Sequence, residues 1–191
     1  MEKQAFVTGG SGHVGANLIR ILVYNGWKVR CLVHHDGRAF EGLNIELIKG
    51  SILDSSFLKQ QMEGCYAVFH AAAIVGVENI NVDEMKRVNI EGTRAMCNAA
   101  LSSEIKRFIY FSSIHAFQQE PLDRKLTEER LLVTDPKSSQ YDLTKAHAEK
   151  EVKKAHKAGL YTIVLNPTGI LGPYDFKPSR MGQLLKNIMN Q

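Results

Sequence analysis

Several familiar signatures are missing from this sequence, and each absence excludes a class. Its three cysteines, Cys31, Cys65 and Cys97, stand far apart with no paired spacing, so neither a disulfide framework, a zinc site nor a redox pair is expected. They read as reduced core thiols. No apolar stretch approaches membrane-spanning length, and the N-terminus runs into an apolar strand without a basic and apolar leader. A cytoplasmic chain with no membrane partner is the expectation. Charge of one sign is scarce too: 24 Lys and Arg against 20 Asp and Glu leave a formal net charge of +4, spread along the chain. The densest basic run, Lys150 to Lys157, alternates with Glu149 and Glu151, which is the pattern of a solvated helix face, so no nucleic-acid partner is expected. Repeats and low-complexity linkers are also absent, and 191 residues suit one good-sized domain with a substantial core.

What is present begins with glycine. Thr8-Gly9-Gly10-Ser11-Gly12-His13-Val14-Gly15 follows the apolar run Ala5-Phe6-Val7 and leads into Val14 to Tyr24, where Leu18, Ile21 and Leu22 recur at helical spacing. Strand, glycine turn and helix in that order make a phosphate cradle. Gly9 and Gly10 permit a tight turn, Gly12 lets the backbone approach a pyrophosphate, and Gly15 lets the helix pack closely on the strand. The pyrophosphate would face free N–H groups and the positive end of the helix dipole. A nucleoside triphosphate P-loop is disfavoured, because no Lys-Ser or Lys-Thr follows the glycines.

Further along, Lys28 to Val33 reads as a second strand whose end faces the adenosine ribose. It finishes Leu32-Val33-His34-His35, with Arg38 close behind. A 2′-phosphate requires an absent acid and a nearby cation, so this ending favours NADP over NAD; Asp36 is the residue that would reverse the preference. His34 and His35 point to opposite faces of a strand and have no evident third ligand, so no metal site is expected. Asn44 to Ile48 is read as a third strand, with Ser51 and Ile52 just beyond it where an adenine would lie. A short helix over Ser55 to Met62 and a fourth strand over Ala67 to His70 follow, the latter ending in Ala71-Ala72-Ala73, small enough to let a cofactor approach the backbone. Met85 to Leu101 is expected as one long amphipathic helix, Arg107 to Phe111 as the fifth strand with Ser112-Ser113 at its end, and Glu120 to Lys137 as a surface loop. Ser138 or Ser139 caps the next helix, Tyr161 to Leu165 is the sixth strand, and the Gly- and Pro-rich Asn166 to Pro173 ends it. Strands alternating with helices indicate an α/β fold, a Rossmann-type doubly wound parallel sheet with helices on both faces. Ligands bind such sheets outside the carboxyl ends of the strands, where Gly9, Ala71 and Ser113 all fall.

Tyr141 and Lys145 are four apart and share one helix face. A phenol titrates ordinarily near ~10. A nearby ammonium is expected to lower that value, making the tyrosine a usable acid and base. Ser113 is placed to hydrogen-bond the same substrate oxygen.

Taken together, Thr8-Gly9-x-x-Gly12-x-x-Gly15, Asn89 within Asn-Ile-Glu-Gly-Thr, Ser113 and Tyr141-x-x-x-Lys145 resemble the extended short-chain dehydrogenase/reductase family over essentially the whole chain. The strand Val29 to Val33 and the tail Asn166 to Arg180 look most like its dihydroflavonol-reductase-like branch. The resemblance implies a cofactor, NADP or NAD, and a small-molecule carbonyl or alcohol substrate. It implies Tyr141 as acid/base, Lys145 as the residue that tunes it and binds the nicotinamide ribose, Ser113 as the catalytic serine and Asn89 as the helix asparagine. Gly9, Gly12, His13, Val14 and Gly15 would line the pyrophosphate, His34 and Arg38 the 2′-phosphate, Ser51 and Ile52 the adenine, and Ala71 to Ala73 and Pro167 the remainder of the cofactor. Many branch members carry Arg where His34 stands, Asp near Ser51, and Arg where Asn166 precedes the proline. Sugar-nucleotide epimerases use Asn at that last place, so an epimerase or dehydratase is the alternative, alongside a non-catalytic dinucleotide-binding fragment. Family members continue into a smaller substrate domain, and residues 176–191 look like its start after a dinucleotide-binding domain over 1–175. They often pair through helices corresponding to Met85–Leu101 and Tyr141–Ala158, so a homodimer is the assembly implied.

Overall fold

A computed structural model of the chain describes residues 3–33, 37–76, 81–176 and 179–190. His34, His35 and Asp36, on which the reading of the ribose site leans, lie outside the described residues. The apolar runs form six strands: β1 (Gln4–Thr8), β2 (Lys28–Val33), β3 (Glu46–Lys49), β4 (Ala67–His70), β5 (Arg107–Phe111) and β6 (Thr162–Leu165). They make one parallel sheet in the order β3-β2-β1-β4-β5-β6. Parallel neighbours require long crossovers. These carry α1 (His13–Tyr24), α2 (Ser55–Met62), α3 (Val82–Lys86), α4 (Thr93–Leu101) and α5 (Gln140–Lys157), while α6 (Arg180–Met189) follows the last strand. The doubly wound α/β sheet is therefore the fold. Strand order reverses between β1 and β4, which opens a crevice at their carboxyl ends.

Alternation along each strand divides the core between the two faces. Ala5 and Val7 join Val29 and Cys31 against Ala16, Ile19 and Leu22 of α1. Phe6 points the other way, with Val68, Phe108 and Tyr110, onto Leu58 and Met62 of α2, Met96 of α4 and Val152 of α5. All three cysteines are buried and free. Burial pushes the Cys31 and Cys97 thiols up to about 12 and Cys65 to about 11, as befits inert packing residues.

Three local features differ from the sequence expectation. The third strand begins at Glu46 and runs to Lys49, because pairing with Arg30 to Val33 sets its register while Leu43 and Ile45 pack beneath the α1 face. The helix expected over Met85 to Leu101 starts at Val82, where the Asn81 side chain accepts from the Asp83 and Glu84 amides. It is also interrupted by a π-helical turn over Arg87–Gly92. The loop from Glu120 to Lys137 is anchored at both ends. Gln118 donates to the Leu131 carbonyl and Val133 to that of Ala116, and Val133 is buried against Ala116 and Ala146.

Candidate active site

The glycine stretch forms the turn between β1 and α1. Gly9 has φ +73, and a Cβ there would lie 2.5 Å from the backbone carbon of Ala71, so the ends of β1 and β4 touch through this residue. A Cβ on Gly15 would collide with the Gly9 carbonyl oxygen. Gly15 thus serves close packing of the helix onto the turn itself rather than onto the strand. Gly12 opens the helix without a capping side chain, so the first-turn amides of His13, Val14 and Gly15 keep their donors. A Cβ on Gly12 would meet only the Gly9 oxygen, at 3.3 Å, and its outer side is open. His13 Nδ1 is buried without a partner among the described residues. Asn17 of α1 donates to the Pro173 carbonyl at 2.8 Å, and the Arg20 guanidinium sits 3.9 Å from the centre of the Tyr174 ring. The segment after β6 is thereby drawn back to α1 beside the cradle.

The opposite wall is made by β5 and α5. Ser139 caps α5 by accepting from the Asp142 amide, which sets Tyr141 in the first turn and Lys145 one turn deeper. Ser113, at the end of β5, accepts from the His115 amide at 3.2 Å and lies beside the Tyr141 phenol. Burial pushes the Tyr141 phenol above its ordinary value, the neighbouring Ser113 hydroxyl draws it down, and Asp142 raises it further. The drop expected from Lys145 is not found. The Lys145 ammonium is buried and donates to the Phe111 carbonyl at 2.8 Å and the Tyr110 hydroxyl at 3.4 Å. Burial lowers it to about 8, against the raising influence of Glu149.

Asn89, buried in the π-helical turn, is a fastening rather than a wall. Its Oδ1 accepts from the Ile74 amide at 2.8 Å, and its Nδ2 donates to the Ile74 carbonyl and to Thr144 Oγ1, both at 3.1 Å. Thr144 in turn donates to the Tyr141 carbonyl. The asparagine therefore ties the segment after β4 to the turn that carries Tyr141.

Of the remaining predicted positions, Ala71 and Ala72 turn their amides to the carbonyl and hydroxyl of Thr8, with Ala73 beyond. The Pro167 carbonyl accepts from Ile114 beside Ser113. Ile52 packs on Gly92. Ser51 is exposed and accepts from the Leu53 amide. Arg38 begins a short 3-10 turn over Arg38–Phe40 beyond β2, and His34 lies outside the described residues.

Sequence reading missed a buried polar row beneath the site. Thr8, His70 and Tyr110 are register partners on β1, β4 and β5. His70 lies between Thr8 Oγ1 at 2.8 Å and Thr93 Oγ1 at 2.9 Å, and Thr93 lies beside Tyr110. Burial, reinforced by the Lys145 charge, lowers His70 to about 3, so the ring is neutral. The only sequence signal was a threonine and a histidine closing otherwise apolar strands.

Among the described residues, no helix is long and apolar enough to cross a membrane. The chain matches the model of the 3-beta hydroxysteroid dehydrogenase/isomerase family over residues 6–190. It is 33% identical over 181 residues to sterol demethylase protein B of Methylococcus capsulatus, covering 94% of this chain and 55% of that protein. A Synechocystis sp. protein named for dihydroflavonol 4-reductase is 32% identical over 188 residues, covering 97% of this chain and 54% of that one. Among solved structures, a short-chain dehydrogenase/reductase superfamily protein from Agrobacterium tumefaciens with bound NAD superposes with a TM-score of 0.72 at 30% identity, over 85% of this chain and 48% of that one. The chain spans about half the length of the curated relatives it matches. The family model runs from the first strand to the last helix, through cradle and Ser-Tyr-Lys wall alike, and the chain belongs to the 3-beta hydroxysteroid dehydrogenase/isomerase family.

Proposed function

We propose that this chain is the dinucleotide-binding and catalytic part of an NAD(P)-dependent oxidoreductase acting on a carbonyl or alcohol, of the dihydroflavonol-reductase-like kind. The observation that carries the reading is the placement of the Ser113 hydroxyl beside the Tyr141 phenol above a buried Lys145, across the carboxyl edge from the cradle. The cradle fits a dinucleotide: Gly12 leaves its mouth open, the first-turn amides are uncapped, and Nδ1 of His13, without a partner among the described residues, lies beside them. Gly9, Gly12, His13, Val14 and Gly15 would hold the pyrophosphate, Ser51 and Ile52 the adenine, Ala71 to Ala73 and Pro167 the middle of the molecule, and Tyr141 and Lys145 the nicotinamide ribose. When bound, a nicotinamide dinucleotide supplies the hydride for carbonyl reduction or accepts it in alcohol oxidation. Tyr141 gives its phenolic proton to the carbonyl oxygen in reduction and takes it back in oxidation. The Ser113 hydroxyl, beside the phenol and accepting from the His115 amide, would orient that oxygen. Lys145 carries its charge below about 8, one turn beneath the phenol.

NADP is the proposed form, on the strength of Arg38 and His34. Support for the domain reading comes from the half-length match and from α6, whose Leu184, Leu185, Ile188 and Met189 are exposed; residues 176–191 would open a substrate domain after 1–175. Pairing of two copies through α4 and α5 and a cytoplasmic location with reduced thiols complete the reading. Asn166, whose amide faces Ser113 and Glu149, is engaged inward and lends no support to sugar-nucleotide chemistry.

Calorimetric titration of the purified chain tests this. NADPH is expected to bind at least about tenfold more tightly than NADH, and Tyr141→Phe to lower turnover of a carbonyl substrate by about 10²–10⁴-fold while sparing that affinity. Preference for NADH would move ribose recognition to Asp36. Binding of neither dinucleotide, or full turnover in Tyr141→Phe, would overturn the reading.

A further inference from the structure

Glu149 is absent from every role above, yet it is 1% exposed. A carboxylate that deep needs partners. It lies four residues after Lys145 on the buried face of α5, which also presents Thr144, Ala148 and Val152, so the two side chains lie one above the other. Its Oε1 accepts from Asn166 Nδ2, and the same amide nitrogen donates to the Ser113 carbonyl at 3.1 Å. Its Oε2 lies 3.7 Å from the ammonium of Lys153, which is half exposed and screened by solvent. Asn166 is neutral, so it orients the carboxylate without neutralising it. Among the described residues, the charged and titratable groups facing Lys145 are Glu149 on α5, Tyr110 on β5 and His70 on β4, with Tyr141 one turn before it on the same helix. Of these His70 is held neutral, and burial keeps the two phenols protonated. Glu149 is therefore the negative charge available to the buried ammonium.

We propose that Glu149 is a positioning residue that supplies the counter-charge for Lys145 and, through Asn166, holds the Ser113 end of β5 in place against α5. The catalytic wall then closes on itself: Ser113 beside Tyr141, Tyr141, Lys145 and Glu149 spaced one turn apart along one helix face, and Glu149 hydrogen-bonded through Asn166 back to the Ser113 backbone. The proposal rests on the reading of Ser113, Tyr141 and Lys145 as catalytic, but its test requires neither cofactor nor turnover.

The test is a pH titration of the Lys145 ε-carbon resonance in the ¹³C-lysine-labelled 191-residue chain, assigned by its loss in Lys145→Arg. In Glu149→Gln the midpoint is expected to fall by about one pH unit or more, a tenfold loss of proton affinity. Glu149→Asp, which keeps the charge, is expected to stay within about half a unit of the native midpoint. An unchanged midpoint in Glu149→Gln overturns the proposal, as does an equal fall in Glu149→Asp, which would assign the effect to packing. Should Glu149→Gln fail to fold, adding Lys145→Met removes the uncompensated charge and is expected to restore folding; a double variant that stays unfolded overturns the proposal. A null result here leaves dinucleotide binding intact, whereas failure of the functional reading abolishes binding and leaves this titration unchanged.

Discussion

At the end of β1 the site is made of backbone; at the end of β5 it is made of buried polar side chains. The cradle works by leaving side chains out, so that strand end, helix start and the Ala71 backbone meet in van der Waals contact. The wall does the reverse. It puts Ser113, Lys145, Glu149, His70 and Asn89, each less than a tenth exposed, behind one edge of the sheet, each held by hydrogen bonds to its surroundings. At Gly9 and Gly15 the first is intolerant of a single added carbon. The second depends on protonation. A dinucleotide site needs the first for close approach and the second for chemistry, and parallel strands deliver both to one edge.

The comparison breaks most visibly at Gly9. Its φ of +73 strains any L side chain, and a Cβ would stand 2.5 Å from both the Ala71 carbon and the Ala72 nitrogen, which are backbone and cannot swing aside. Gly9→Ala is expected to destabilise the chain by about 3 kcal/mol or more, measured by urea unfolding. A loss below about 1 kcal/mol would show that the two strand ends can part without harm, and the cradle would not be the rigid half of the site.

The wall is tested next, by pH. His70 takes a proton at 6.5 when unfolded and near 3 when folded. Between those values the unfolded chain binds the extra proton, so the stability due to His70 is complete above 6.5 and is lost as pH falls toward 3. The expected slope reaches about 1.4 kcal/mol per pH unit, and His70→Gln should remove it. The acid limb of Glu151, whose carboxyl is drawn below 4.5 chiefly by Arg94 and Lys154 against the upward pull of burial, lies lower and remains. Lys145 acts at the other end: folded it releases its proton near 8, unfolded near 10.5. Between these the unfolded chain again binds more, so stability rises with pH from 8 to 10.5, and Lys145→Met should flatten that rise. A native profile identical to that of both variants would mean that the buried row bears no proton linkage.

How much of this the sequence disclosed follows from the same contrast. The cradle is local: strand, glycines and helix lie within twenty-four residues, and the reason for each glycine can be written from steric rules alone, except that Gly15 packs on the turn and not on the strand. That Ser113, Tyr141 and Lys145 would meet at one edge was legible because their order and spacing follow one fold. Strand boundaries at β2, β4 and β5 came from apolar runs bounded by polar residues, whereas edge strand β3 had too little burial to mark its start. The circuit through Glu149 and Asn166, the His70 row and the π-helical turn around Asn89 were hidden, because each depends on residues brought together from strands far apart in the chain. Nothing about Asn166 alone says that it faces Glu149, 17 residues earlier. Tyr141 shows the limit most clearly. Its spacing to Lys145 predicts a lowered phenol, but spacing is silent on burial, which outweighs the other influences here and raises it.

Gly12 sharpens the comparison with the smallest effect on stability. Its φ of −80 and ψ of 166 are open to any residue, and a Cβ would meet only the Gly9 oxygen, at 3.3 Å. At the residue that opens a helix, exchanging glycine for alanine costs only about 0.5 to 1 kcal/mol. Gly12→Ala should therefore keep its urea midpoint close to native. The new methyl would nevertheless stand at the open mouth of the cradle, between the free first-turn amides and any pyrophosphate they receive. Calorimetry is expected to show dinucleotide affinity reduced by about tenfold or more in a chain that is still folded. Unaltered affinity would place the pyrophosphate elsewhere on the carboxyl edge. Gly9 and Gly15 would then be glycines for the fold's sake, and the Gly12 mouth would have no ligand to explain it.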